Sequence, residues 1–266
     1  MMQQAEDFKT ECDAIHALVA SLDAAALAQP TAFKSWSVDA ILRHLHVWNI
    51  AADLSLTDEA AFRAFFAKVG SAVAKGGMSA FEADYLNGLS GPDLVAAWAE
   101  FYPQLATHFA AADPKQRVAW AGPSMSARSS ITARLMESWA HAQAVYDALG
   151  VERQDGDHIR NIVVLGVNTF GWTYRNRGLP VPETMPLLEL TAPQSGEVWR
   201  YGDTDAGRIS GAASEFCQVV TQTRNIADTA LQVEGDMARE WMAMAQCFAG
   251  PPHDPPAPGV RGIGKA

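Results

Sequence analysis

The chain has 266 residues, enough for one large or two modest domains at roughly 100–200 residues each. Hydrophobic residues make up 48% and charged residues 19%, which excludes disorder, collagen-like repeats and fibres and leaves a soluble globular protein. A net charge of −10 without a basic stripe argues against a nucleic-acid partner; a polar, acidic N-terminus and the lack of any apolar run of about 18 residues argue against a secretory signal and a membrane span. A cytoplasmic protein with no membrane partner is expected.

Residues 4–28 carry Phe8, Cys12, Ile15, Val19 and Leu22 at three- and four-residue steps, one apolar stripe on a helix. "QPTAFKSW" breaks it. Ser37 can cap a second helix that runs to about Leu56, with Asp39 favourable at the positive end of its dipole. Further helices fit 58–75 and 91–112, the latter with Pro92 in its first turn. "WAGPSMS" is a loop, and Ser126 or Ser129 starts a helix that ends at Gly150.

Beyond "VERQDGDH" the texture changes. A helical segment over 157–177 is followed by two strands, "MPLLELTAP" and "GEVWRYGD", joined by a turn around "PQSG". A helix at 211–223, a short strand "TALQVEG" and a helix at 236–249 complete an α+β second half. The expected division is a helical domain over 1–152, an α/β domain over 153–250, and a Pro/Gly-rich tail over 251–266 that is flexible or draped. Cys12, Cys217 and Cys247 are too far apart for a metal knuckle or an obvious disulfide frame and are read as buried free thiols.

Two places could carry chemistry. On a helical wheel, Ile41, Val47, Trp48 and Ala51 lie within about 60° of His44, while His46 points about 160° away, among Asp39, Arg43, Asn49 and Asp53. One helix cannot aim both histidines at one ion. His44 therefore stands alone on the apolar face, where a histidine is ordinarily a hydrogen-bonded core residue unless partners reach it.

Candidate partners are in "RLMESWAHAQAVYDALG", where Glu137 and His141 are four residues apart and about 40° apart on one helix face. Together with His44 they would make a two-histidine, one-carboxylate set, a standard three-ligand zinc site with an open position. The alternative is a solvated face of Arg134, Glu137, Ser138 and His141 with a weak ion pair. His16 and His108 are the other histidines that could join such a site. Trp36, Trp48, Trp139 and Trp172 read as core, with Trp48, one turn from His44, also placed to wall a pocket.

"SWSVDAILRHLHVWN" followed by "RLMESWAHAQAVYDALG" resembles the metal-binding N-terminal domain of the mycothiol-dependent maleylpyruvate isomerase family, a branch of the DinB-like four-helix bundles. The resemblance implies His44, Glu137 and His141 as ligands of a divalent metal, usually zinc, and leaves His46 out. "ISGAASEFCQVVTQTRN" and "TALQVEGDMAREWMAMAQCFAGPP" resemble the family's C-terminal domain, a small α/β layer of sterol-carrier-like shape, in which Arg224 matches an arginine that meets an anionic substrate. Arg224 could equally do no more than end its helix; Arg175 and Arg177 are alternative carboxylate clamps.

The resemblance implies a zinc-dependent enzyme that activates a low-molecular-weight thiol such as mycothiol or glutathione, or water, for isomerisation or transfer on a small carboxylate-bearing electrophile. Arg224 is then the catalytic candidate and, with Trp48, lines the substrate pocket. Two rivals stand beside it: a zinc-dependent hydrolase without thiol, and a non-catalytic binding or stress protein stapled by its metal. Substrate and oligomeric state lie outside the sequence.

Overall fold

The computed structural model describes residues 1–265, the side chains of residues 73–76 and 204–205 excepted. Helix α1 (Gln3–Val19) buries Ala5, Phe8, Cys12, Ile15 and Val19, the stripe read from the sequence. The expected single helix over 4–28 is in fact two. The chain leaves α1 after Val19, and Asp23 starts α2 (Ala24–Leu27) by accepting the Ala26 N–H at 2.8 Å. Such a cap satisfies an amide that the first turn leaves orphaned, and so sets where the helix begins. Ser37 does the same for α3 (Val38–Thr57), accepting the Ala40 N–H at 3.0 Å.

Then come α4 (Glu59–Gly76), a short α5 (Met78–Tyr85) that was not expected, and α6 (Gly91–Ala111), with Pro92 in its first turn. The expected loop closes a small antiparallel ribbon of β1 (Arg117–Val118) and β2 (Met125–Ser126). Of the two candidate caps for α7 (Ala127–Ala148), Ser126 is used, its Oγ accepting the Ser129 N–H at 3.1 Å. Past the helix end Gly150 turns with φ 67°, and the Gly150 and Val151 amides close on the carbonyls of Asp147 and Tyr146.

The chain divides into two compact units, Met1–Val145 and Tyr146–Ala266, so the boundary falls inside α7, a little before the expected 152/153. In the first unit α3 packs against α6, α4 and α5, and α6 packs against α1. Val47, Trp48 and Ala51 of α3 form one core cluster with Phe62, Phe65, Val69 and Phe81. All three cysteines of the chain are buried and outside any disulfide, as expected. No described helix is long and apolar enough to cross a membrane.

In the second unit the expected helix over 157–177 is interrupted. After one 3-10 turn come α8 (Arg160–Asn168) and α9 (Phe170–Asn176), parted at Thr169, whose hydroxyl donates back to the Leu165 carbonyl at 2.7 Å. The two expected strands are the antiparallel hairpin β3 (Pro186–Thr191) and β4 (Val198–Tyr201), which pairs Leu190 with Trp199. A long strand, β5 (Asp203–Ala212), was not expected. It lies parallel to β3 and antiparallel to β6 (Gln232–Glu234), giving the order β4-β3-β5-β6. Helices α10 (Ala213–Val220) and α11 (Asp236–Met244) are shorter than the spans read for them. Phe170 and Phe216 pack edge-on against Trp241 in the core of this unit.

Among the described residues the tail has no helix or strand, and several of its backbone carbonyls and amides are hydrogen-bonded to the second unit. Gln222 Nε2 donates to the His253 carbonyl at 2.7 Å, Asn225 Nδ2 to that of Pro256 at 2.9 Å, and Gly264 N to that of Asp147 at 2.7 Å. These bonds supply partners for a backbone too rich in Pro and Gly to make its own.

Gly207 sits in β5 with φ 102°, and a Cβ there would clash with the Glu234 carbonyl oxygen. Gly207→Ala should therefore cost about 2–3 kcal/mol by urea unfolding, left-handed strain with a backbone clash added. Gly150→Ala, with nothing within 4 Å of its Cβ, should cost about 1 kcal/mol. Equal costs would show that the strand yields at Gly207.

Candidate metal centre

The structure brings His44 from α3 together with Glu137 and His141 from α7. One donor atom from each lies within 4.8 Å of the others. His141 Nε2 is 3.4 Å from Glu137 Oε2, and the two imidazole rings are 4.8 Å apart. The helical spacing explains half of this: residues four apart on α7 project side by side. The other half depends on α3 meeting α7 at this level, which no local pattern states.

The three side chains are neither solvated nor sealed, with exposures of 16% for His44, 12% for His141 and 32% for Glu137. The solvated-face alternative does not hold, because Arg134 and Ser138 on the same helix are buried. Burial opposes ionisation of Glu137, but the hydrogen bond from His141 and the charges of His141, Arg134 and His44 outweigh it and hold the carboxyl at about 2. Burial is likewise the main reason His141 lies below its ordinary value. Glu137 is thus ionised and His141 disfavours a proton, the states in which both are electron-pair donors.

Aromatic rings wall the group. The loop before α3 turns tightly, with Lys34 and Ser35 both left-handed at φ 53° and 57° and the Thr31 N–H bonded to the Trp36 carbonyl at 2.8 Å. It presents Phe33, edge-on to His141 at 5.0 Å, and Trp36, stacked on His141 at 5.9 Å and edge-on to His44 at 5.4 Å. Trp48 stands 6.1 Å from the His44 ring.

His46 is not part of the group, and its expected polar surroundings are corrected. It is 6% exposed and edge-on to Phe101 of α6, and burial pushes its pKa down to about 4. The polar side of α3 is covered by α6, where Asp53 also pairs with His108 at 2.6 Å. His16 lies edge-on to Trp98, so neither it nor His108 belongs to the group identified among the described residues.

Sequence reasoning missed Glu82 of α5. Its Oε1 lies 2.7 Å from His44 Nδ1 and 3.0 Å from Trp48 Nε1, with the side chain 2% exposed. The available signal was an acidic residue between Phe81 and Tyr85 in a helix too short to show a period. Phe33 and Trp36 were missed as site walls because they belong to a loop.

Arg224 belongs to the second unit. It is 8% exposed, its Nη2 donates to Asp147 Oδ1 at 2.6 Å, and its Nη1 donates to the Thr223 carbonyl at 3.0 Å. Arg177 is held by the tail, 2.9 Å from Asp254.

Two imidazoles and a carboxylate of this spacing suit a divalent cation of the zinc type and leave a coordination position for another ligand. Known proteins place the chain by family and fold. The sequence model of the family described as the mycothiol maleylpyruvate isomerase N-terminal domain matches residues 8–146. Uncharacterized proteins from two strains of Mycobacterium tuberculosis are 37% identical over 247 residues, covering 92% of this chain and 95% of theirs. Crystal structures of the mycothiol-dependent maleylpyruvate isomerase and of a histidine-to-alanine mutant share the fold with a TM-score of 0.54, at 17% and 16% identity. Each covers 82% of this chain and 87% of its own.

Zinc at a hundredfold its dissociation constant is expected to stabilise the wild-type chain and His46→Ala by about 2.7 kcal/mol in urea titrations. His44→Ala and His141→Ala should show no shift. A His46→Ala chain that ignores zinc while His44→Ala responds would reverse the assignment.

Proposed function

The chain belongs to the mycothiol maleylpyruvate isomerase family, and on that premise we propose that it is a zinc-dependent enzyme using a low-molecular-weight thiol, mycothiol or glutathione. Its substrate is a small, carboxylate-bearing electrophile, and the outcome is isomerisation or transfer. The observation that carries this reading is the His44, Glu137, His141 triangle, partly open and walled by Phe33 and Trp36.

Bound by these three residues, a divalent cation would supply a Lewis acid that lowers the pKa of a thiol or water at its remaining position. Glu137 brings the negative charge of the donor set, and its low pKa keeps that charge across the neutral range. Phe33, Trp36 and Trp48 limit the access of water to the imidazoles and offer flat apolar faces to an unsaturated substrate. A thiolate adding to a cis-enoate forms a C–S bond while the π pair moves onto the conjugated carbonyl. The former double bond then rotates, and the returning pair expels the thiolate and leaves the trans product.

A structural zinc is ordinarily closed by four protein ligands, so a group of three among the described residues supports the catalytic reading over a metal staple. Arg224 is kept in this proposal as the second unit's candidate for a carboxylate, its guanidinium held by Asp147.

Turnover of a cis-enoate such as maleylpyruvate is expected to require an added thiol and to be lost in His141→Ala. Undiminished activity without thiol would replace this reading with metal-assisted hydrolysis. Arg224→Lys keeps a cation beside Asp147 but lacks the planar fork, and should raise KM about tenfold or more. An unchanged KM would reduce Arg224 to its ion pair.

A further inference from the structure

We infer that Glu82 is a positioning residue that sets the tautomer and orientation of His44, so that His44 offers Nε2 to a metal. The inference rests on the reading of His44 as a ligand, and it starts from a carboxylate in an unfavourable place. Glu82 is 1% exposed on α5, next in the chain to Phe81 and bonded to Trp48, both members of the apolar cluster that also holds Phe65 and Val69. A carboxylate in such surroundings is tolerated only if donors satisfy it.

Two ring nitrogens converge on one oxygen. Trp48 Nε1, which can only donate, is 3.0 Å from Oε1, and His44 Nδ1 is 2.7 Å from the same atom. With Oε1 accepting from the indole and from the imidazole at once, the His44 proton lies on Nδ1. Nε2 is then the nitrogen with a free lone pair, on the ring edge opposite Glu82. A carboxylate behind a ligating imidazole fixes the ring against rotation and raises the basicity of the far nitrogen. It also adds a second negative charge, after that of Glu137, to a site meant for a dication.

Trp48 thereby gains a definite task. Its indole holds the carboxylate in place while its ring packs on Phe65 and Trp120. Three residues from two helices, α3 and α5, form one chain of hydrogen bonds that ends at the candidate metal position.

The test is zinc affinity, measured by competition with a chromophoric chelator on the full chain. Glu82→Gln keeps the shape and an acceptor oxygen but removes the charge, and should weaken zinc by about 10–100-fold with little change in melting temperature. His44→Ala should lose zinc altogether. If His44→Ala binds zinc as wild type does, the ligand assignment itself falls. If His44→Ala loses zinc while Glu82→Gln binds with unchanged affinity, only the role of Glu82 is overturned. Should Glu82→Gln fail to fold, ¹⁵N chemical shifts of His44 in the metal-free wild-type protein decide: a protonated Nδ1 supports the inference, and a protonated Nε2 overturns it.

Discussion

The candidate centre depends on one buried cation. Arg134 of α7 is 3% exposed; its Nε donates to Asn49 Oδ1 at 3.1 Å and its Nη2 reaches the Leu45 carbonyl at 3.5 Å, both on α3. Leu45 follows His44 in the chain, and Arg134 precedes Glu137 by one turn. The contact therefore sets the register of α7 against α3 at the level of the three candidate ligands. A one-residue slip would rotate His141 away by about 100°. A buried guanidinium stripped of its partners costs several kcal/mol, so this register is strongly preferred over its neighbours.

The same helix pair shows where reasoning from a helical wheel holds and where it fails. The wheel separated His44 from His46 correctly, because their angular separation is a property of the backbone alone. It could not say what covers each side. The side bearing His46, Asn49 and Asp53 is polar in composition and would ordinarily face water. It lies instead against α6 and α7, with Asn49 bonded to Arg134 and Asp53 to His108. The apolar side bearing His44 and Trp48 borders the partly open group of ligands. Both sides of α3 are thus covered, since a central helix has neighbours on every side and its polar residues can find partners in them.

Legibility elsewhere followed the strength of the local signal. The capped helices α3 and α7 were readable because Ser37 and Ser126 each satisfy orphaned amides and Gly150 closes the end of α7. The β3–β4 hairpin was readable from alternating apolar residues around a turn at Gly196. β5 was not: "DTDAGRISGA" has two glycines and little alternation, and glycine weakens a strand read by propensity. Its place is set by pairing with β3 on one side and β6 on the other, interactions distant in sequence. Glu82 escaped for a related reason, since the eight residues of α5 are too few to display a period.

Several of the residues that depart from the hydrophobic pattern in the first unit lie around the ligand triangle. Glu82, Arg134 and Asn49 are buried, and each is hydrogen-bonded to a candidate ligand, to a neighbour of one, or to another member of this set. Apolar residues of similar volume at such positions are often neutral or stabilising by about 1–4 kcal/mol. Stability alone therefore does not account for them. Their common effect is to tie α5 and α7 to α3 beside His44. Local rules of sequence reading fail in this part of the chain because the interactions there position donor atoms as well as bury surface.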